Sequence, residues 1–208
     1  MSKPKIAVLG LQGDFHKHIE RLAGLGAHAY AARLPEEISE ADGLIIPGGE
    51  STTIGKLLVR YNLLDSIRTA SDFGKPIYGT CAGLIVLATR ITSSTSERGG
   101  QPTLGLLDIT VSRNAFGRQI DSFESTIDAP IITGVGGKPL SAVFIRAPIV
   151  EEVGNNVQVL ASYNGNIVFV RQDRILGSSF HPELTDDDRV HQYFLSVVDE
   201  SLVTVTQH

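Results

Sequence analysis

The sequence predicts an α/β protein in which helices cover both faces of a parallel sheet. In the first 80 residues, short continuous apolar runs alternate with segments whose apolar residues recur every three or four positions. This alternation is typical of βαβ units, which connect parallel strands through helices. Between residues 106 and 179 the strand-like runs follow one another, which indicates antiparallel strands that extend or flank the sheet.

The strands of the first half are predicted from short runs of mostly apolar residues. Residues 5–10 form a continuous apolar run, as expected for a strand that is buried on both faces. Three similar runs predict strands over residues 27–32, 43–47 and 76–80.

Helices are predicted where a capping residue precedes an apolar stripe. Asp14 can cap the first helix and Gly26 can end it, while Ser51 can cap the next one. A last helix is predicted from about residue 186, where three aspartates suit the positive end of the helix dipole. The three stripes comprise Phe15, Ile19 and Leu22, then Ile54, Leu57, Leu58 and Tyr61, and finally Val190, Tyr193, Phe194, Val197 and Val198.

Turn-forming residues separate the strands that are predicted for the second half. The segment 164–166 (NGN) predicts a hairpin over residues 163–167. Residues 93–102 are poor in apolar residues and are interpreted as a variable loop. Strands are predicted over residues 106–111, 122–127, 142–145, 157–163, 167–172 and 175–179.

The composition restricts the class of protein. The chain has 208 residues, 42% of them hydrophobic and 20% charged, with a net charge of −5, so it offers no basic surface for nucleic acid or an anionic membrane. Its single cysteine excludes an internal disulfide and fits a reducing compartment. The apolar segment over residues 6–11 is too short for a signal peptide or a membrane span. We therefore expect one cytoplasmic domain over residues 1–208, without nucleic-acid or membrane partners.

The single cysteine lies in a motif that indicates nucleophilic chemistry. Cys81 is at the centre of residues 79–83 (GTCAG), between a predicted strand and a helix-like run over residues 84–88. This order is the sulfur version of a nucleophile elbow, in which small neighbours let the middle side chain project above the sheet. A helix start also favours a thiolate. The plainer interpretation of Cys81 is a small buried apolar side chain, which does not require two flanking glycines.

A histidine and an acid close to the end of a predicted strand complete a candidate triad. His181 and Glu183 are two residues apart, so in an extended segment they share a face. The carboxylate could then hold one imidazole nitrogen while the other faces Cys81. Without Cys81, a surface histidine and a solvated loop acid would be the simpler interpretation. No metal site or cofactor is predicted.

The turn over residues 47–53 (PGGESTT) follows a strand and precedes a helix, which suits an anion-binding backbone. It lacks the spacing of a phosphate-binding P-loop. In a cysteine hydrolase it could form an oxyanion hole, with one N–H from Gly49 and a second from Ala82.

Arg113 and Arg146 are candidates for binding a small carboxylate substrate, although surface ion pairing would also account for them. Residues 12–14 (QGD) lie where α/β sheets bind ligands, or serve only as a turn and helix cap.

Together these motifs resemble the class I (triad) glutamine amidotransferases, and among them the branch that supplies ammonia for vitamin B6 synthesis. The resemblance extends over nearly the whole chain. It includes residues 8–14, 47–53, 79–85, 113–119, 119–124, 144–148 and 179–185. The superfamily pattern is carried by residues 79–83 and 181–183, and the more branch-specific pattern by residues 11–14, 113–119 and 144–148.

The resemblance implies a three-layer α/β/α sandwich with a mixed, largely parallel sheet, and hydrolysis of L-glutamine to L-glutamate and ammonia. It implies that Cys81 is the nucleophile, His181 the general base and acid, and Glu183 its orienting partner. It also implies an ammonia-accepting partner, a pyridoxal 5'-phosphate synthase subunit. The glutamine-binding positions that it implies are Gly49, Glu50, Ser51, Arg113, Ile145 and Arg146.

Three alternatives remain compatible with parts of this pattern. Another enzyme on the same elbow, such as a cysteine peptidase, would not need the segments around Arg113 and Arg146. A glutaminase subunit of a different amidotransferase would share the triad. A non-catalytic regulatory subunit on the same fold would have no physical reason to keep Cys81, His181 and Glu183 together.

Overall fold

The computed structural model describes residues 3–92, 100–113 and 122–205. Seven α-helices and one 3-10 turn are found in these ranges. They are α1 (Phe15–Gly24), α2 (Pro35–Ser39), α3 (Ser51–Arg60), α4 (Leu63–Asp72), α5 (Ala82–Leu87), α6 (Pro130–Thr133), the 3-10 turn η1 (Pro182–Leu184) and α7 (Arg189–Val205).

Twelve strands are found in the same ranges. They are β1 (Lys5–Leu9), β2 (His28–Ala32), β3 (Gly43–Ile46), β4 (Ile77–Thr80), β5 (Ala88–Thr92), β6 (Leu107–Ser112), β7 (Ser122–Ile127), β8 (Leu140–Ile145), β9 (Ile149–Val153), β10 (Gln158–Tyr163), β11 (Asn166–Gln172) and β12 (Ile175–Ser178).

Ten of these strands form one mixed sheet, in the order β2-β1-β3-β4-β12-β11-β9-β6-β5, with β10 added on β11. The five strands from β2 to β12 are parallel to one another. Strands β11, β9 and β6 then pair in antiparallel fashion, and β5 returns parallel to β6. The predicted α/β fold with a mixed sheet, extended by antiparallel strands, is confirmed.

Helices pack on both faces of this sheet, because alternate residues of the central strands point in opposite directions. In β1, Ala7 and Leu9 join the core beneath helices α2 to α5, whereas Ile6 and Val8 join the core beneath α1 and α7. Strands β3, β4 and β12 are buried along their whole length. A strand that is buried on both faces needs apolar residues at successive positions, which explains the continuous apolar runs in the sequence.

Strands β7 and β8 form a separate two-stranded ribbon, in which Ser122 pairs with Ile145 and Ile127 with Leu140. The ribbon packs on the α1/α7 face through aromatic rings. The ring of Phe144 stacks on that of Phe123 at 4.8 Å and meets the edge of Phe180 at 5.9 Å. These contacts hold the end of β8, and with it Ile145 and Arg146, against the main sheet.

The residues of the turns explain why the hairpin over residues 163–167 was predicted correctly. Tyr163 pairs with Asn166 across a two-residue turn, and Asn164 and Gly165 both have positive φ (48° and 80°). This is the backbone that Asn-Gly favours in tight hairpins, and the predicted hairpin is confirmed. Helix α1 starts after Asp14, but the Asp14 side chain makes no capping hydrogen bond; Gly26, with φ 89°, follows the end of the helix.

Further details of the prediction were wrong or incomplete. Glu50, not Ser51, is the N-cap of α3, because its carboxylate accepts hydrogen bonds from the N–H groups of Thr52 and Thr53. Helix α7 begins at Arg189, since Asp187 instead bonds the Arg189 guanidinium and the N–H of Ser141. Sequence analysis did not identify α2, α4, α6, β5 or β9. Most of the variable loop and the segment after Arg113 lie outside the described residues.

No helix in the described ranges combines the length and the apolar character that crossing a membrane requires.

The contact between α5 and β3 gives a first prediction, about stability. A Cβ on Gly83 would overlap the backbone carbonyl oxygen of Ile46, whereas a Cβ on Gly24, at the exposed end of α1, would meet nothing within 4 Å. We expect Gly83→Ala to lower the free energy of unfolding by about 1–3 kcal/mol, the usual cost of overpacking. The control Gly24→Ala should raise it by about 0.5–1 kcal/mol, because alanine is the better helix former. Urea denaturation measures both, and equal midpoints would contradict the prediction.

Candidate active site

The candidate site lies where the parallel strands end. Strands β1, β3, β4 and β12 are neighbours and run in the same direction, so the segments that follow them meet at one edge of the sheet. These segments carry Gln12, Gly49, Cys81 and His181. Strand β8 of the ribbon brings Ile145 and Arg146 to the same place.

Cys81 occupies a strained turn between β4 and α5. Its φ and ψ are 48° and −100°, a backbone conformation that non-glycine residues rarely adopt. The N–H of Cys81 donates to the carbonyl of Ser178 at 2.7 Å, and its own carbonyl accepts from the Ile85 N–H at 3.3 Å. The predicted elbow is therefore present, but the flanking glycines have ordinary φ. Gly83 is needed because α5 approaches β3 closely.

The thiol lies at the bottom of a pocket. Cys81 is only 7% exposed, and its sulfur is 3.8 Å from the carbonyl oxygen of Ile145. Ala82 is the first residue of α5, so its N–H has no partner within the helix and is free to face a ligand. The sulfur can thus be reached only by a small group that enters through the pocket.

His181 and Glu183 form a close buried pair behind the thiol. The Nδ1 of His181 is 2.7 Å from Glu183 Oε1, and the two residues are 9% and 1% exposed. Glu183 reaches His181 through the 3-10 turn η1, not through the extended segment that the sequence predicts. The N–H of His181 donates to the carbonyl of Val143 at 2.8 Å, which fixes the start of this turn against the ribbon.

The imidazole of His181 lies directly on the backbone of Gly48. A Cβ on Gly48 would overlap Cε1 of the ring and lie 3.0 Å from Nδ1. The first glycine of the turn over residues 47–53 therefore makes room for the histidine, a role that sequence analysis did not assign to it.

The charges of this pair follow from its partners. Burial lowers the pKa of His181, but hydrogen bonds to Cys81 and Glu183 and their negative charges outweigh it and raise that pKa to about 10. Burial likewise raises the pKa of Glu183, but His18 and His181 together hold it well below the usual range. At neutral pH, Glu183 is therefore ionised and His181 carries a proton that it can donate.

A cavity of about 290 Å³ opens above the thiol. Apart from Glu183, which lies behind the imidazole, each predicted site residue lines it. The predicted residues at its wall are Gly49, Glu50, Ser51, Cys81, Ala82, Arg113, Ile145, Arg146 and His181, and Gln12 and Ile85 join them.

Both signs of charge are present in this cavity. Glu50 accepts from Thr52 and Thr53, and these bonds lower its pKa despite the opposing effect of partial burial. Arg113 lies 3.4 Å from Glu50 Oε1. Arg146 is exposed, has a φ of 42°, and makes no hydrogen bond or ion pair within the described part of the chain. A carboxylate and guanidinium groups in one small cavity complement a zwitterionic amino acid.

Two contacts at the rim were not expected from the sequence. Gln101 Oε1 accepts hydrogen bonds from Ser51 at 3.0 Å and from Arg113 at 3.2 Å, so it links the two sides of the cavity. Gln12 Oε1 accepts from the N–H of Glu50 at 2.8 Å. The segment over residues 12–14 is therefore in contact with the candidate oxyanion turn, whereas Asp14 makes no capping hydrogen bond.

Comparison with known proteins agrees with this geometry. The model of the SNO glutamine amidotransferase family matches residues 8–200, and the chain belongs to this family. A solved structure described as a glutamine amidotransferase is 45% identical, with a TM-score of 0.85, and the match covers 93% of this chain and 98% of that one. A chain of the PurLQS structure from Thermotoga maritima (17% identity, TM-score 0.67, covering 94% of this chain and 99% of that one) shares the fold.

Two curated relatives carry a more specific name. Proteins from Streptomyces avermitilis and Carboxydothermus hydrogenoformans, each 52% identical over 198 residues, are both named pyridoxal 5'-phosphate synthase subunit PdxT. The match covers 95% of this chain in both cases, and 96% and 100% of the relatives.

The Glu183 contact gives a second prediction. Glu183→Gln removes the negative charge that raises the pKa of His181, so that pKa should fall below its value of about 10. With a poorly oriented imidazole, kcat should decrease on the order of 10²-fold. Glutamine turnover and an NMR titration of His181 measure the two effects. The control Glu124→Gln, at an exposed position of β7, should change neither. Wild-type values in Glu183→Gln would contradict the assignment.

Proposed function

We propose that this chain hydrolyses L-glutamine to L-glutamate and ammonia and delivers the ammonia to a pyridoxal 5'-phosphate synthase subunit. The observation that carries the proposal is the thiol, imidazole and carboxylate series at the base of a cavity that holds both Glu50 and guanidinium groups. Membership of the SNO glutamine amidotransferase family and the PdxT relatives support it.

In the proposed mechanism, the thiolate of Cys81 attacks the side-chain amide carbon of glutamine while His181 holds the proton. The oxygen of the tetrahedral intermediate is stabilised by the N–H groups of Gly49 and Ala82. His181 gives its proton to the leaving nitrogen, so that the carbon–nitrogen bond breaks and ammonia departs from a thioester. His181 then takes a proton from water, whose oxygen attacks the thioester. Glutamate leaves as the carbon–sulfur bond breaks.

Glutamine is proposed to bind with its α-carboxylate towards Arg146 and its α-ammonium group towards Glu50. Arg113 neutralises part of the Glu50 charge and orders that side of the cavity through Gln101. Gly49, Ser51 and Ile145 complete the wall, and the backbone of the last lies beside the sulfur. The cavity volume of about 290 Å³ suits a single amino acid better than a peptide.

The chain is proposed to act as a single amidotransferase domain in the cytoplasm and to be regulated by its synthase partner. Unpartnered hydrolysis would waste glutamine, because free ammonia is protonated and lost. The proposed gate is the Gly48-Gly49 peptide, which can turn an N–H towards or away from the oxyanion at little steric cost. Gln12 contacts this turn through Glu50, so docking next to residues 12–14 would favour one peptide orientation.

A third prediction concerns substrate binding. Arg146→Ala should raise KM for glutamine about tenfold or more, since it removes one charge-assisted contact. Arg146→Lys should recover this only in part, because lysine cannot form the bidentate contact. Steady-state kinetics measures both, with Arg60→Ala at an exposed position of α3 as the control. An unchanged KM in Arg146→Ala would exclude this residue from the glutamine site.

The fourth prediction tests the function itself. The rate of glutamate formation should rise about 10²–10³-fold when the chain is titrated with a pyridoxal 5'-phosphate synthase subunit, the range expected for gain of one oxyanion donor. Cys81→Ala should abolish the rate at every ratio while retaining the fold. A rate that does not respond to the synthase would refute the gate, and turnover by Cys81→Ala would refute the mechanism.

A further inference from the structure

A buried cluster of ionisable side chains lies behind the candidate triad and takes no part in the mechanism above. It consists of His18 in α1 and His191 in α7, each 0% exposed; His18 contacts the 1% exposed Glu183, and His191 contacts His18. Burial of three ionisable groups in one chain of contacts is costly unless each is paired. The arrangement therefore requires an explanation beyond packing.

His18 contacts both segments that carry the triad, the one with Glu183 and the one with Cys81. Its Nε2 is 3.4 Å from Glu183 Oε2 and 3.3 Å from the hydroxyl of Thr80, the residue that precedes Cys81. The other oxygen of Glu183, Oε1, is bonded to His181. The carboxylate thus has an imidazole on each side: His181 is hydrogen-bonded to Oε1, whereas His18 lies at ion-pair distance from Oε2, which accepts no hydrogen bond within the described residues.

The carboxylate defines which nitrogen of His18 must be protonated. An ionised carboxylate 3.4 Å away would repel a bare nitrogen lone pair, so Nε2 of His18 must carry a proton. Nδ1 of His18 is then directed at Nε2 of His191, 3.0 Å away. Burial, followed by the charge of His18, lowers the pKa of His191 to about 3, so His191 stays neutral and fixes the ring from behind.

We propose that His18 is a positioning residue for the glutaminase reaction, which holds the second oxygen of Glu183 and thereby fixes the direction in which the carboxylate orients His181. The proposal rests on the proposed function, because a positioning role has meaning only for a working triad. His191 supports His18 in the same way as Glu183 supports His181. The proposed chain of contacting side chains then runs from Cys81 through His181, Glu183 and His18 to His191 in helix α7.

The pH dependence of the proposed reaction is set by the groups that surround Glu183. His181 and His18 hold its pKa low against the effect of burial. Loss of the His18 donor should therefore raise the pKa of Glu183, and the carboxylate would be protonated at a higher pH. The other ionisable groups near it are Tyr78 in β4, His191 in α7, and Lys17, Glu20 and Arg21 in α1, of which Arg21 is paired with Asp186 and Asp188.

Two substitutions of similar polarity separate positioning from packing. The amide nitrogen of His18→Gln can occupy the place of Nε2 and donate to Glu183, whereas the shorter side chain of His18→Asn reaches only the place of Nδ1. His16→Asn, at an exposed position of the same helix, is the matched control. All three are assayed with the synthase subunit present.

We expect His18→Asn to lower kcat about tenfold, the change expected for loss of one buried charge-assisted contact, with little change in KM. The acid limb of its kcat profile should move to higher pH. His18→Gln and His16→Asn should stay close to the wild type. Equal losses in Asn and Gln with an unshifted acid limb, or full activity of His18→Asn, would overturn the proposal.

A second measurement does not depend on glutamine. The rate at which iodoacetamide alkylates Cys81 reports how well His181 holds the thiol proton. His18→Asn should slow this reaction about tenfold relative to His18→Gln. If the wild type did not hydrolyse glutamine, the proposed function would fail, and the alkylation rates would still decide whether His18 positions the series. Equal alkylation rates in the two variants would exclude that role.

Discussion

The site depends on one close approach, the contact of helix α5 with strand β3 at Gly83. The backbone of α5 lies so near the carbonyl of Ile46 that no side chain fits between them. This contact sets where the helix starts and therefore forces Cys81 into its strained conformation at the turn. The position of this turn determines where the thiol, the Ala82 N–H and the base of the cavity lie. The central parallel strands provide the rigid support that such strain requires.

Electrostatics is organised around a single buried carboxylate. Glu183 would be protonated in an apolar interior, and only its two imidazole neighbours keep it ionised. These neighbours come from opposite directions: His181 follows β12, and His18 lies in α1. Cys81 and Glu183 together raise the pKa of His181, so the acid–base behaviour near the thiol depends in part on the contacts that keep Glu183 ionised.

Much of this arrangement could be predicted from the sequence, because its signals are local. Paired glycines around Cys81, the His-x-Glu spacing and continuous apolar strands each reflect a short-range requirement. The cap of α3 was misassigned because serine is a preferred N-cap residue and glutamate is not. In the structure the Glu50 carboxylate accepts from the helix N–H groups, whereas the Ser51 hydroxyl donates to the distant Gln101. Strand β9 was missed because it is short and half-exposed, so its pairing is decided by neighbours distant in sequence.

The buried histidines show a signal that could have been used. His18 lies three residues after Phe15 and four before Leu22, and His191 lies three before Phe194. Both therefore fall on apolar stripes, where an ionisable residue is unusual and indicates a buried polar partner. The sequence could flag the two residues in this way, but it could not show that they contact each other, because that contact joins α1 to α7 across 173 positions of the chain.

The β7–β8 ribbon has a consequence for how such a site can diversify. The proposed nucleophile and its proposed acid–base partners are carried by the main sheet, whereas Ile145 and Arg146 are held at the end of a ribbon that docks through the rings of Phe123, Phe144 and Phe180. The proposed binding of substrate by Ile145 and Arg146 and the proposed bond-breaking chemistry are thus supported by different parts of the fold. Substitutions in the ribbon can reshape the selectivity of the cavity for one amide over another while the reactive sulfur stays in place.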